Sequence, residues 1–453
     1  MGETLKVDRS KAAEELHRRL ISGTRPKSRA RRMLLSTTWI LSTTILATSK
    51  RLFDFCLALL LLTASSPIWI LHAVAGERLN RTARVGRWAQ TFHEYSFPPD
   101  GVIGRVLGAL HLLSLPALLN ILRGEMSFIG PRAADPGEIS PRGRIARRRY
   151  DVRPGLICLW WVRQRANIAF ESEAQSDLEY VESQTVSGDF ALALRAIPAM
   201  LYGEGVANAP DEFSLAGIRI NNLTMTEAIE TIVQWSEAPV ARQVAFVNAD
   251  SANIAWRNPR FSDALQHCDL TLGDGIGIKL AAKALGLHLK QNVNGTDLFP
   301  RLCDALQGRS GGLYLLGARP QIAETVANWA IARYPKLKIA GFRDGYFNAE
   351  EEPRVLEQIG QSGASVLLLA LGAPNQELWI RRNLEATGAK VAIGVGGLFD
   401  FYSGRISRAP QWLREMGLEW TYRLYQEPGR MWRRYLVGNI TFLYHIALER
   451  LRS

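Results

Sequence analysis

From about residue 212 onward, short apolar runs alternate with longer stretches of helical periodicity. Residues 243–247 are apolar and are followed by a helical pattern over 251–256. Residues 270–272 run into Gly273-Asp274-Gly275-Ile276-Gly277, with a helical pattern over 278–285. Residues 312–316 are apolar and glycine-flanked, and a helix is predicted over 320–333. Residues 337–341, 365–371 and 391–395 are further strand candidates, each beside a helical pattern. Uninterrupted apolar strands between helices predict an α/β domain with a Rossmann-like, mostly parallel sheet covered by helices.

The first half reads differently. Residues 1–32 are polar and end in a basic run, and 33–47 are moderately apolar and hydroxyl-rich, which predicts an interfacial helix. Residues 55–71 are apolar and carry no charge after Asp54. Their length is at the lower edge for a membrane span, and Ser65-Ser66-Pro67 interrupts them, so spanning and re-entry both remain open. Basic residues on both flanks place both ends on the cytoplasmic side. The pattern predicts a basic segment (1–49), a smaller α-rich membrane-associated domain (50–205) and a linker (206–212). An α/β domain (213–410) and a basic helical tail (411–453) follow.

A chain of 453 residues is consistent with two domains. The net charge of +12 and pI near 9.7 call for an anionic partner: nucleic acid, anionic lipid or a phosphorylated substrate. The basic residues sit beside membrane-like stretches and no nucleic-acid motif is recognised, so nucleic acid is not expected. The four cysteines are scattered and the seven histidines lack ligand spacing. Neither a metal nor a cofactor is expected.

Candidate chemistry gathers at predicted strand ends. Asn248 follows the first strand and Asp274 the second, in a glycine turn before a helix N-terminus that favours anions. Gly275 and Gly277 belong to that turn. Asn294, Thr296 and Asp297 come before the next helix, and Gly317 ends the 312–316 strand. Gln376 and Glu377 follow 365–371, and Gly396 and Asp400 follow the last strand. In an open α/β sheet such ends share one crevice. In the tail, Arg423, Arg430 and Arg434 are spaced seven and four apart, although Pro428 and Gly429 interrupt that register. Trp420, Trp432 and Tyr435 suit a membrane interface or a core equally.

Two resemblances organise these observations. Ser49-Lys50-Arg51-Leu52-Phe53-Asp54, the Ser66-Pro67 break, Leu115-Pro116 and Arg123 through Arg132 follow in order, then Arg153-Pro154-Gly155-Leu156. Over roughly 50–203 the chain resembles the bacterial sugar transferases, monotopic phosphoglycosyl transferases acting on polyprenyl phosphate. Active members carry Asp-Glu just before the Leu-Pro step; here Leu113 and Ser114 stand there, and neither can replace a carboxylate. The resemblance therefore implies a silent domain that keeps membrane docking. Arg123, Arg132 and Arg153 are left either as a lipid-phosphate cradle or as structural pairs.

Over about 215–435 the chain resembles the WecG/TagA/CpsF glycosyltransferases, family 26. The matching words are Phe246-Val247-Asn248-Ala249, Gly273-Asp274-Gly275, Asn294-Gly295-Thr296-Asp297, Gly372-Ala373-Pro374-Asn375-Gln376-Glu377, Gly396-Gly397-Leu398-Phe399-Asp400 and Gly417-Leu418-Glu419-Trp420 through Arg423. This implies inverting, metal-independent transfer from a UDP-sugar to a polyprenyl-diphosphate-linked acceptor at the cytoplasmic face of a bacterial inner membrane. Asp274 would be the base, and Arg423, Arg430, Arg433 and Arg434 would close over the nucleotide. Some members have an arginine where Asn292 stands and a threonine near Phe246. A bifunctional enzyme that also starts the lipid-linked chain, and a non-catalytic scaffold, are the competing readings. A homo-oligomer or a polysaccharide assembly complex is also open.

Overall fold

The computed structural model describes residues 48–110, 112–138, 148–166, 172–201 and 209–452. The expected basic run and interfacial helix before residue 48 lie outside these residues, as do residues 206–208 of the expected linker. The chain divides into two compact units, the second taking in everything from Leu201 onward.

In the first unit, a helix over Thr48–Ala64 meets a second over Ser66–Val74 at 55°. Pro67 explains the break, because it cannot continue the helix of the residues before it yet suits the first turn of a new one. Among the described residues no single helix is long and apolar enough to cross a membrane, but this bent pair has the length and composition to do so. Its surface is strongly apolar: Leu52, Leu60, Ile70 and Leu71 are all more than 60% exposed. Buried Asp54 anchors the pair, accepting from Ser127 Oγ at 2.7 Å. The remainder is an antiparallel hairpin, β1 (Asn80–Val85) and β2 (Thr91–Ser96), a short parallel pair, β3 (Ser127–Ile129) and β4 (Gly155–Ile157), and helices including Glu173–Ser183 and Val186–Leu201.

The arginines left open in this unit are structurally engaged. Arg132 pairs with Glu138 and Glu173. Arg153 donates to the Gly124 carbonyl at 2.7 Å, at the end of the helix Leu118–Arg123. Arg123 lies over Tyr95 and donates to its hydroxyl at 2.9 Å.

The second unit begins with a hairpin that the sequence pattern did not isolate, β5 (Glu212–Leu215) and β6 (Ile218–Asn221). Its centre is a parallel six-stranded sheet. The strands are β7 (Arg242–Val247), β8 (Leu270–Gly273), β9 (Gly312–Gly317), β10 (Ile339–Arg343), β11 (Ala364–Ala370) and β12 (Val391–Gly394). They lie in the order β10-β9-β11-β12-β7-β8. Every residue of β8, β9 and β12 is buried, as a parallel sheet covered on both faces requires. Val244, Leu272, Leu315, Leu368 and Ile393 join Phe299 and Phe399 in one core layer, and Ala245, Val247, Ile278 and Phe261 join another. Each fully buried large side chain contributes about 1.5–3 kcal/mol.

The tail is a series of short helices and one longer one, and it folds onto this domain. Phe442 and Ile446, from the helix Gly438–Arg452, enter the second core layer. Asn253 Nδ2 donates to the Gly438 carbonyl at 2.7 Å, Trp256 stacks on His445 at 4.0 Å, and Glu449 accepts from the Ala216 backbone at 2.9 Å.

Candidate active site

The carboxyl ends of β7, β8, β11 and β12, together with the tail, enclose a cavity of about 910 Å³. Asp274 comes first after β8. Its backbone N–H is tied to the Val247 carbonyl at 2.8 Å, which locks the turn to the neighbouring strand. Gly275 follows with φ +90, a conformation that side chains strain against, and its N–H donates to Asn292 at 2.6 Å. The helix Ile276–Ala284 then starts at the cavity wall, with Gly277 in its first turn.

Asp274 keeps some exposure toward the cavity, but its carboxyl is surrounded by protein. Burial pushes that carboxyl up to about 6, and the Glu419 carboxylate adds to the rise; a hydrogen bond from Asn248 and the charge of Arg434 oppose it. A carboxylate with an affinity near neutral can accept a proton and still be ionised at physiological pH. Asn248 also caps the helix Ala249–Arg257, accepting from the N–H groups of Asp250 and Ser251, both at 3.1 Å.

Asn294 caps the helix Gly295–Ala305 and donates to Asp297 at 2.8 Å. Asp297 pairs with Arg408 at 2.6 Å, and Arg408 reaches Glu419 at 3.4 Å. Burial alone would raise the Asp297 carboxyl, but the Arg408 bond wins and holds it below the usual range. Thr296 lines the cavity, and its carbonyl accepts from Tyr402 at 2.6 Å.

Gln376 is a clamp between two loops. Its Oε1 accepts from the N–H groups of Gly372 at 3.1 Å and Gly396 at 3.0 Å, while its Nε2 donates to Glu377 at 2.7 Å. Glu377 is 1% exposed, and burial pushes its carboxyl up to about 7. Asp400 is held by a two-pronged bond from Arg405 at 2.7 and 2.8 Å.

The tail breaks at Pro428 into the helices Glu419–Gln426 and Pro428–Trp432, then passes through a π-helical turn over Arg433–Val437. The interruption seen in the sequence is therefore real, yet Arg423, Arg430 and Arg434 all line the cavity. Burial lowers the Arg423 guanidinium, which lies 4.9 Å from the Phe401 ring centre. Gly397 leaves room for it: a Cβ there would come within 2.9 Å of Arg423 Nη2. Arg434 pairs with Asp250 at 3.1 Å.

Two of the candidate residues stand apart from the cavity. Arg433 is exposed and lies over the Trp432 ring at 5.2 Å. Gly317 is required by packing, because a Cβ would meet the Ala370 backbone at 2.7 Å. Asp250, Arg405, Arg408, Glu419 and Glu427 also line the cavity, and none of them was among the expected site residues. Spacing offered a hint for Glu427, four residues after Arg423 and three before Arg430. Among the described residues no group of three or more His, Cys, Asp or Glu is arranged to hold a metal ion.

Comparison with known proteins agrees with this architecture. Residues 101–203 match the Bacterial sugar transferase profile, a shorter stretch than the resemblance in the sequence. Residues 213–453 match the profile of the Glycosyl transferase WecG/TagA/CpsF family. A relative from Bacillus subtilis is 31% identical over 216 residues, 48% of this chain and 83% of the relative. Another, from Bacillus spizizenii, is 38% identical over 195 residues, 43% of this chain and 74% of the relative. Both are named N-acetylglucosaminyldiphosphoundecaprenol N-acetyl-beta-D-mannosaminyltransferase. With a profile match over more than half its length, ending in the tail that closes the cavity, the chain belongs to the WecG/TagA/CpsF family and is a glycosyltransferase.

Proposed function

We propose that the protein transfers a sugar from a UDP-sugar, with inversion and without a metal, onto a saccharide linked to polyprenyl diphosphate. The activity would serve cell-surface or exopolysaccharide assembly at the cytoplasmic face of a bacterial inner membrane. The names of the relatives support an N-acetylhexosamine donor and an N-acetylglucosaminyl-diphosphate lipid as acceptor.

The observation that carries this reading is one cavity lined both by a half-buried carboxylate raised to about 6, Asp274, and by guanidinium groups from the tail. Inversion in a single displacement needs a base to take the acceptor hydroxyl proton as the hydroxyl attacks the anomeric carbon. Asp274 is that base. The leaving UDP develops charge on its diphosphate, which needs fixed positive groups. Arg423, Arg430 and Arg434 supply them, and the N-terminus of the helix Ile276–Ala284 adds its dipole. The Gln376 clamp fixes the two glycine loops that shape the pocket floor.

The bent apolar helix pair supports membrane docking of the first unit. Leu113 and Ser114, where an active sugar transferase has its carboxylates, argue against chain initiation by that unit. The deciding experiment is a donor screen of purified protein in detergent, UDP-sugars against polyprenyl-diphosphate acceptors. Transfer by the wild type and its loss in Asp274→Ala are expected; equal turnover by both would defeat the assignment of the base.

A further inference from the structure

Two kinds of ion pair line the cavity. One kind is short: Arg408 on Asp297 at 2.6 Å, and Arg405 on Asp400 at 2.7 and 2.8 Å. The other kind is gathered on Glu427, whose carboxylate faces Arg405 at 3.6 Å, Arg423 at 3.7 Å and Arg430 at 3.5 Å. These separations give Coulomb attraction without hydrogen-bond contact. Correspondingly, Glu427 Oε2 and Arg423 Nε are both buried and without a hydrogen-bond partner. A buried charged donor and a buried charged acceptor, side by side and both unsatisfied, are costly as a purely structural pair.

The backbone explains how Glu427 is placed. It sits at the tail break, where its N–H donates to the Arg423 carbonyl at 3.0 Å and its own carbonyl accepts from Arg430 and Met431 at 3.2 and 3.0 Å. The break is therefore held by main-chain bonds and Pro428, and the carboxylate is not needed to form it.

We propose that Glu427 is a built-in competitor for the donor's diphosphate: its carboxylate holds the guanidiniums that the diphosphate takes, and yields them when the donor binds. This rests on the reading of the cavity as a UDP-sugar site. A diphosphate has more oxygens and more charge than one carboxylate, so it can satisfy the fork of Arg423 and the exposed Arg430 in close contact. The same competition runs in reverse after transfer. UDP held by several arginines would leave slowly, and Glu427 gives those arginines an alternative partner.

The test uses full-length protein in detergent, titrated with UDP and, separately, with uridine as a phosphate-free probe. In Glu427→Gln the dissociation constant for UDP is expected to fall on the order of 10-fold, as one competing negative charge is removed. Uridine binding should stay unchanged, and KM for the donor and kcat should fall together as release slows. Glu427→Asp, which withdraws the carboxylate by one methylene, should fall between and decides the matter if Glu427→Gln does not fold. Unchanged or weaker UDP binding in the variants, or uridine affinity that shifts with UDP, would overturn the proposal. A wild type that binds no UDP would instead overturn the donor assignment beneath it.

Discussion

Asp274 is the proposed base, and its environment makes its behaviour testable. The carboxyl is raised to about 6, so it is ionised above that pH and protonated below it. We expect kcat/KM to rise with pH and level off above about 6, and Asp274→Asn to lower kcat by about 10²–10⁴-fold with UDP binding retained. A profile flat down to pH 4 would remove Asp274 from the role. Glu377 gives a different pH signature. Its carboxyl, raised to about 7, keeps its proton in the folded chain at pH values where the unfolded chain has lost it. The folded state then binds more protons, so this group's contribution to stability falls as pH rises from its unfolded range through about 7. Glu377→Gln should therefore stabilise the protein by about 1–3 kcal/mol at pH 8 and by much less at pH 4, read as a shift in Tm.

At the scale of elements, the site is made by loops that meet. Gly397 and Arg423 illustrate this, because the side chain of one fills the space that the other leaves. Gly397→Ala should push the Arg423 guanidinium aside, raising KM for the donor several-fold with little change in Tm; an unchanged KM would mean that Arg423 does not hold the donor. The strands of the sheet were readable to within one or two residues, because most are buried on both faces and so are uninterrupted apolar runs, while the half-buried edge strand β10 was two residues off at both ends. The β5–β6 hairpin was not, since the expected linker ran into it. Its alternation of buried Phe213, Leu215, Ile218 and Ile220 about a turn with positive φ at Ala216 and Gly217 is a short signal. The roles of Arg408 and Glu419 were hidden for a different reason. The Asp297–Arg408 pair joins positions 111 apart, and no local pattern encodes it. Asp274 was legible because a carboxylate in a glycine turn at a strand's end is a local feature. Gly317 shares that local form, and only the closeness of the Ala370 backbone marks it as packing.

For the whole molecule, a family glycosyltransferase is joined to a sugar transferase-like unit whose expected carboxylate positions are Leu113 and Ser114. We expect no UMP from a UDP-sugar supplied with polyprenyl phosphate alone; UMP release would make the protein bifunctional. The bent, apolar-surfaced helix pair should keep the protein with the membrane fraction, and Leu60→Lys with Ile70→Lys should shift it toward the soluble one. We propose that sugar transfer occurs in the tail-closed cavity with Asp274 as base. The most direct test is transfer of labelled N-acetylhexosamine from UDP onto an N-acetylglucosaminyl-diphosphate lipid, comparing wild type with Asp274→Asn in the presence of a metal chelator. A labelled disaccharide lipid is expected from the wild type and at least a hundredfold less from the variant; comparable product from both would remove Asp274 as the base.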